Sequence, residues 1–239
     1  MQCLVLAGGL GMRMGRRTAD RPKAMIKVAG EPFIRHQLRL LREAGVDDVV
    51  LCIGYRGELI EDEVARHCPD GLSVRCSSDG EQLLGTAGAL RLAIENGLAA
   101  EQFMVLYGDS YLRVDYADVW GSFDRSKHDG LMTVWRNEHA LETSNASVRD
   151  GRVAVYRKRA DDVGRRSMHY VDYGLGILTA EVVSALVPTG APHDLATLYE
   201  TIATHGRLQA YEVDHRFHEI GSESGLAELD QLLTMMLQR

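Results

Sequence analysis

Two hydrophobic periods alternate along this chain. Cys3–Leu6, Val49–Ile53 and Phe103–Leu106 are short unbroken apolar runs, the pattern of strands buried on both faces. Between them the period lengthens. Phe33–Ala44 carries Ile34, Leu38 and Leu41 on one helical face and stops at Gly45. Ile60–Arg66 fits a short helix and Ser73–Cys76 a strand. Thr86–Asn96 fits a helix with Leu90 and Ile94 facing inward and Gly97 at its end. Strands separated by helix-length segments predict βαβ units, hence an α/β fold with a mixed, mostly parallel central sheet flanked by helices.

The pattern then turns antiparallel. Leu131–Trp135, Tyr170–Leu178 and Leu208–Val213 read as strands. Ser144–Val148 and Arg152–Tyr156 flank Asp150-Gly151, a hairpin signal. Asp194 is placed to cap a helix reaching about His205. Ser222 is placed to cap a final helix with Leu226, Leu229, Leu233 and Met236 available for packing. With no repeat, low-complexity tract or linker, the expectation is one domain over residues 1–239. Residues 1–110 would form a mostly parallel half, and residues 111–239 a more antiparallel half.

Composition narrows the functional class. No apolar run in the 239 residues approaches the roughly 20 needed to cross a bilayer. The start, Met1-Gln2-Cys3, has no basic leader, so the expectation is a cytoplasmic, bacterial-type enzyme with no membrane partner. Cys3, Cys52, Cys68 and Cys76 form no C-x-x-C pair and read as reduced thiols, with Cys3 and Cys52 inside strands. A net charge of −7 argues against a nucleic-acid partner. Yet Arg13, Arg16, Arg17, Arg21, Lys23 and Lys27 stand against a single acid, Asp20, within the first 30 residues. Such a local cluster suits a small polyanion.

That cluster surrounds a glycine-rich turn after the first strand. Gly8, Gly9 and Gly11 let the backbone approach a ligand closely. A dinucleotide fingerprint would need glycine where Met14 stands, and a P-loop would need Gly-Lys-Ser/Thr, which is absent. By themselves the glycines fit a tight surface turn equally well.

The longer string decides. Leu6-Ala7-Gly8-Gly9-Leu10-Gly11-Met12-Arg13, then Arg21-Pro22-Lys23-Ala24-Met25-Ile26, then Val28-Ala29-Gly30-Glu31-Pro32-Phe33 resembles the signature of the sugar-1-phosphate nucleotidyltransferases. The resemblance is strong to about residue 110 and looser beyond. It implies a Rossmann-like nucleotidyltransferase fold. It also implies that Leu6, Ala7, Gly8, Gly9 and Gly11 contact the nucleotide while Arg13 and Lys23 are the catalytic cations on the triphosphate. Arg16, Arg17 and Lys27 are left open. Nucleotidyl transfer builds negative charge on the α-phosphate and the departing pyrophosphate, so fixed cations fit the chemistry.

The same resemblance assigns the remaining candidates. In Tyr107-Gly108-Asp109-Ser110, Asp109 matches the aspartate that holds Mg²⁺, a cation that takes hard oxygen ligands. Phe217-His218-Glu219-Ile220-Gly221 matches the second metal-binding stretch, with Glu219 in place of aspartate and no proline following. Gln82-Leu83-Leu84-Gly85-Thr86 matches the element beside the base and sugar. It makes Gln82, Gly85 and Thr86 nucleotide contacts, with Glu81 an alternative reader of the base; the plain alternative is Thr86 as a helix cap. Val153–Lys158 matches a strand whose lysine, here Lys158, holds the sugar phosphate. Arg157 and Arg159 replace the usual glutamate and proline. Asp172-Tyr173-Gly174 matches the element beside the sugar, and Asn145 is a further candidate to face it. His215 and His218, on opposite faces of a strand, read as structural or substrate-lining rather than as zinc ligands.

The implied reaction joins an NTP and a sugar 1-phosphate into an NDP-sugar and pyrophosphate, with Mg²⁺. A homodimer is compatible with this reading. The chain shows no extension such as a left-handed β-helix and is most similar to the compact types, the heptose-1-phosphate guanylyltransferases and N-acetylmuramate-1-phosphate uridylyltransferases. The Gly-Leu-Gly and Leu-Gly-Thr pattern favours the former. Three rivals stand. One is a transferase acting on molybdenum cofactor, which Arg13-Met14-Gly15 resembles but in which the lysine follows sooner. Another is a glycosyltransferase, which would want Asp-x-Asp where Gly108-Asp109-Ser110 stands. The third is a regulatory paralogue that binds nucleotide without turnover.

Overall fold

Strand β1 (Gln2–Leu6) shows how the chain is layered. Cys3 and Val5 point into one apolar cluster and Leu4 into another, as a period of two requires. The next long strand, β4 (Asp48–Ile53), repeats this, with Val49, Leu51 and Ile53 on the first face and Val50 and Cys52 on the second. In the computed structural model the described residues are 1–239 except 10, 81, 138–142, 159–167 and 239; the side chains of Met12, Arg13 and Arg16 also lie outside the description.

Short strands β2 (Lys27–Val28) and β3 (Glu31–Pro32) pair with each other. Helix α1 (Phe33–Glu43) and helix α2 (Gly57–His67) cover the first face through Ile34, Leu38, Leu41, Ile60 and Val64. After strand β5 (Ser73–Ser78), helix α3 (Gly85–Glu95) covers the second face through Ala87, Leu90 and Ala93. The chain returns through β6 (Gln102–Tyr107) and the two-residue β7 (Ser110–Tyr111). Then follow α4 (Tyr116–Ser122), β8 (Gly130–Arg136), β9 (Ala146–Arg149), β10 (Arg152–Tyr156) and β11 (Tyr170–Thr179). Helices α5 (Ala180–Leu186) and α6 (Leu195–Thr204), strands β12 (Leu208–Val213) and β13 (His218–Glu219), and helix α7 (Glu223–Leu237) complete it.

Among the described residues nine strands form one mixed sheet in the order β5-β4-β1-β6-β11-β8-β12-β10-β9. Pairing is parallel from β5 to β6 and between β8 and β12, and antiparallel elsewhere. Parallel pairing thus dominates only the first half of the chain. From β1 the chain steps to β4 and β5 on one side, then crosses back to β6 on the other. Such a reversal opens a crevice at the carboxyl ends of β1 and β6, where ligands bind in α/β sheets.

A third apolar cluster joins the last helix to the segments that follow β1 and β6. Leu226, Leu229 and Leu233 of α7 pack with Met14, Ile26, Val28, Phe33, Tyr111 and Ile220. Ser222 caps α7 by accepting from Gly225 N–H at 3.0 Å. Met236, expected to pack with these leucines, is instead exposed, because the cluster ends at the turn of Leu233.

Candidate active site

The glycine turn occupies the crevice. Ala7 N–H donates to Cys52 O at 2.8 Å and Gly108 N–H to Leu6 O at 3.1 Å, which ties the ends of β1, β4 and β6 together. Gly11 has φ +60°, a left-handed conformation that turns the chain into a 3₁₀ segment over Met12–Thr18. Thr18 Oγ1 donates back to Gly11 O at 3.0 Å and closes the loop. Arg13 lies on this segment, but its side chain is outside the described residues. Lys23 opens the next short turn, which buried Ala24 and Ile26 hold in place. Its Nζ donates to Asp109 Oδ2 at 2.6 Å, with only 13% of the lysine side chain exposed.

The second acid arrives by strand pairing. β13 runs antiparallel to β7, with Glu219 opposite Ser110, and Ile220 N–H donates to Asp109 O at 2.9 Å. The Glu219 carboxylate accepts from Gly221 N–H and from Ser222 Oγ at 2.6 Å. A methyl group on Gly221 would meet that carboxylate and, at 2.9 Å, Lys23 Nζ. Lys23, Asp109 and Glu219 therefore cluster, although Glu219 does not line the main cleft. Among the described residues no group of three or more His, Cys, Asp or Glu side chains could hold a metal. A hard cation here would have Asp109, whose Oδ1 has only a long 3.4 Å contact from Ser110 Oγ, and would take its other ligands from phosphate and water. Glu219 has both carboxylate oxygens engaged at the start of α7 and would have to exchange those bonds to reach a cation.

The opposite end of the cleft is built on a bulge. The β11–β8 register shifts between Asp172 and Gly176, and Gly174 sits inside the irregularity at φ +100°. Tyr107 and Tyr156 hydroxyls donate to Asp172 Oδ2 at 2.6 and 3.1 Å, and Gly174 N–H donates to Oδ1 at 3.0 Å. Asp172 N–H donates to Asn145 Oδ1 at 2.9 Å. Burial raises the pKa of the Asp172 carboxyl despite these hydrogen bonds, and burial also raises both tyrosines. Lys158 Nζ donates to Asp194 Oδ2 at 2.5 Å. Burial pulls Asp194 upward, but bonds from Lys158, Ala196 N–H and Thr86 outweigh it and leave the carboxyl below its usual range.

One cleft of about 550 Å³ joins these ends. Leu6, Ala7, Gly8, Gly9, Gly11, Lys23, Gly85, Thr86, Asp109, Asn145, Lys158 and Asp172 all line it. Gly174 sits beside Asp172 without lining the cleft, and Gln82 is exposed and does not line it either. Glu81 and Arg159 lie outside the described residues. His215 bonds Arg113 O and packs edge-on against Tyr173, while His218 pairs with Tyr111; neither lines the cleft.

Residues 3–213 match the model of the MobA-like NTP transferase domain. The chain belongs to this family. Among curated relatives, a probable mannose-1-phosphate guanylyltransferase 2 from Oryza sativa subsp. japonica is 36% identical over 143 residues, 56% of this chain and 37% of that protein. D-glycero-alpha-D-manno-heptose 1-phosphate guanylyltransferase from Aneurinibacillus thermoaerophilus is 27% identical over 159 residues, 66% of this chain and 68% of that protein. The chain spans about a third to a half of the length of the rice and yeast relatives it matches. The crystal structure of HddC from Yersinia pseudotuberculosis, complexed with GMP-PN, superimposes with TM-score 0.79 at 22% identity, covering 97% of this chain and 99% of that one. That likeness shows the fold.

Within this transferase fold, four lining residues that carry a hydroxyl or a carboxylate were not singled out as site residues by the sequence: Asp79, Tyr107, Tyr156 and Asp194. Asp194 was legible only as a cap, and it does accept from Ala196 N–H. Thr86 does not cap α3, as its plain reading would have it. Its hydroxyl donates to Asp194 Oδ1 at 3.2 Å and accepts from Leu195 N–H at 2.7 Å, linking α3 to α6. Gly85 makes the close approach between these helices possible. At φ +71° it has His193 O only 2.7 Å from where a Cβ would stand. Gly85→Ala is expected to cost about 2 kcal/mol and lower Tm by about 4–8 °C in a thermal melt. An unchanged Tm would show that the helix starts can separate freely.

Proposed function

We propose that this chain transfers a nucleotidyl group from an NTP to a sugar 1-phosphate and releases pyrophosphate. One observation carries the reading: a single cleft has a lysine–carboxylate pair at the strand-end crevice and a second lysine, Lys158, at its far end. The first pair suits a triphosphate; the second lysine suits the phosphate of an acceptor. Residues 1–239 would act as one unit in the cytoplasm, with residues 1–110 holding the NTP and residues 111–239 the acceptor.

The acceptor phosphate oxygen is already ionised at neutral pH, so no general base is needed. The chain's task is to align that oxygen with the α-phosphorus and to stabilise charge on the leaving pyrophosphate. Lys23 supplies a fixed cation, and Arg13 is placed on the adjoining turn to supply another. Lys158 orients the acceptor, and Asp172 with Asn145 presents polar atoms to its hydroxyls. Asp109 would hold Mg²⁺, with Glu219 as the second carboxylate; the ion would neutralise phosphate charge.

A pyrophosphate-release screen of the full chain tests this. GTP, UTP, CTP and dTTP are each paired with heptose, mannose and N-acetylmuramate 1-phosphates in Mg²⁺. Release that requires both substrates is expected. Binding of NTP without release from any pair would leave a nucleotide-binding paralogue.

A further inference from the structure

We propose that Gln37, a side chain outside the cleft, is a positioning residue for the transfer: it fixes the turn that carries Asp109 and so sets that carboxylate against Lys23. The assignment rests on the nucleotidyl-transfer reading and extends it to a residue that touches no substrate.

Gln37 lies on α1, is fully buried and does not line the cleft. Its Nε2 donates to Tyr107 O at 3.0 Å and to Ser110 O at 2.9 Å. These two carbonyls bracket Gly108 and Asp109, so both amide hydrogens are spent on one turn. The Gln37 Oε1 is buried and has no hydrogen-bond partner among the described residues. A buried acceptor left unpaired costs free energy. Methionine would fill a similar volume without that cost, so what singles out glutamine here is its pair of donors.

Backbone contacts hold the rest of the turn. Gly108 N–H donates to Leu6 O, and Asp109 O accepts from Ile220 N–H. The turn lies hard against β1, with no room for a Cβ on Gly108. Among these anchors Gln37 supplies the side chain, and it can be changed without altering the chain that carries Asp109.

The same helix also anchors the lysine. Phe33 N–H, at the start of α1, donates to Ile26 O at 2.9 Å, and Ile26 N–H donates to Lys23 O at 3.0 Å. Phe33 and Gln37 are four residues apart, on one face of the helix. One rigid element therefore holds the lysine turn at its first residue and the aspartate turn about one helical turn later. The 2.6 Å separation of Lys23 Nζ and Asp109 Oδ2 is set across this shared footing. Removing the Gln37 amide frees the aspartate side alone. Fixed charges act through placement, and a shift of about 1 Å costs a rate of order 10²-fold.

The test uses the full chain and the NTP and sugar 1-phosphate that wild type turns over fastest. Gln37→Met is expected to lower kcat about 10- to 100-fold while the KM for sugar 1-phosphate changes by no more than about 2-fold. Gln37→Asn keeps the amide on a shorter stem that reaches one carbonyl at most. It is expected to fall between wild type and Gln37→Met, and it serves if the latter does not fold. Combined with Asp109→Asn, either substitution should slow transfer no further, whereas a merely structural role would add its loss. Calorimetric titration with manganese pyrophosphate reads the same placement without turnover, and Gln37→Met should bind it about 10-fold more weakly. Unchanged kcat, or a loss that persists in full when Asp109 is already asparagine, overturns the assignment alone. No release by wild type with any pair overturns the transfer reading. The manganese pyrophosphate titration then still decides the role of Gln37, and equal affinity in wild type and variant rejects it.

Discussion

Asp109→Asn is expected to reduce nucleotidyl transfer by about 10²–10³-fold at saturating NTP and acceptor. Asparagine preserves the volume and one oxygen, so β6, β7 and the Gly108 approach to β1 stay in place. What disappears is charge. Lys23 Nζ lies 2.6 Å from Asp109 Oδ2 and only 13% of its side chain is exposed. The pair is thus a poised cation beside a hard carboxylate at the switch-point crevice. Without that carboxylate the site has Glu219, whose oxygens are engaged by Gly221 N–H and Ser222 Oγ. The Mg²⁺ concentration for half-maximal rate should therefore rise along with the loss of rate.

A double substitution separates the two ways Asp109 could act. If Asp109 serves only to hold Lys23, then Lys23→Met with Asp109→Asn should be no slower than Lys23→Met alone. If Asp109 also engages the ion, the double variant should be slower still and should respond weakly to added Mg²⁺. Undiminished transfer by Asp109→Asn would refute the assignment of this carboxylate to the metal.

The reach of the sequence can be traced residue by residue. Cys3, Leu4 and Val5 declared the two faces of the sheet because each face needs only local alternation. The glycine turn, Lys23 and Asp109 were legible because each lies in a contiguous string tied to a strand end. Asp79 was not. It lies in the run Ser77-Ser78-Asp79-Gly80, whose sequence reads as a plain loop, and its place in the cleft follows from strand order and from one backbone bond to Leu84. Asp172 matched only loosely, because a bulge, which leaves no periodic trace, sets its direction. The β7–β13 pair is two residues long and joins positions over a hundred residues apart, so no local pattern foretold how Glu219 meets Asp109. Met236 shows the opposite error. Its spacing continues the α7 stripe, but a stripe is buried only as far as its partner surface extends.

Lys158→Ala should divide the two substrates cleanly. The KM for sugar 1-phosphate is expected to rise about 10- to 100-fold, while the KM for NTP changes by no more than about 2-fold. The reason is position: Lys158 lies at the end of the cleft proposed for the acceptor, where its ammonium bonds Asp194 Oδ2 at 2.5 Å. That pair is about half exposed on both sides, at 53% and 44%, so it contributes only about 0–1 kcal/mol. A doubly charged phosphate can displace one carboxylate on those terms. Asp194 would stay where it is, because Ala196 N–H and Thr86 Oγ1 hold its other oxygen. Asp194→Asn, which removes the competing charge, should then leave the acceptor KM unchanged or lower it by up to about 5-fold. A rise in NTP KM with Lys158→Ala, and none for the acceptor, would assign this lysine to the triphosphate and reverse the two ends of the cleft.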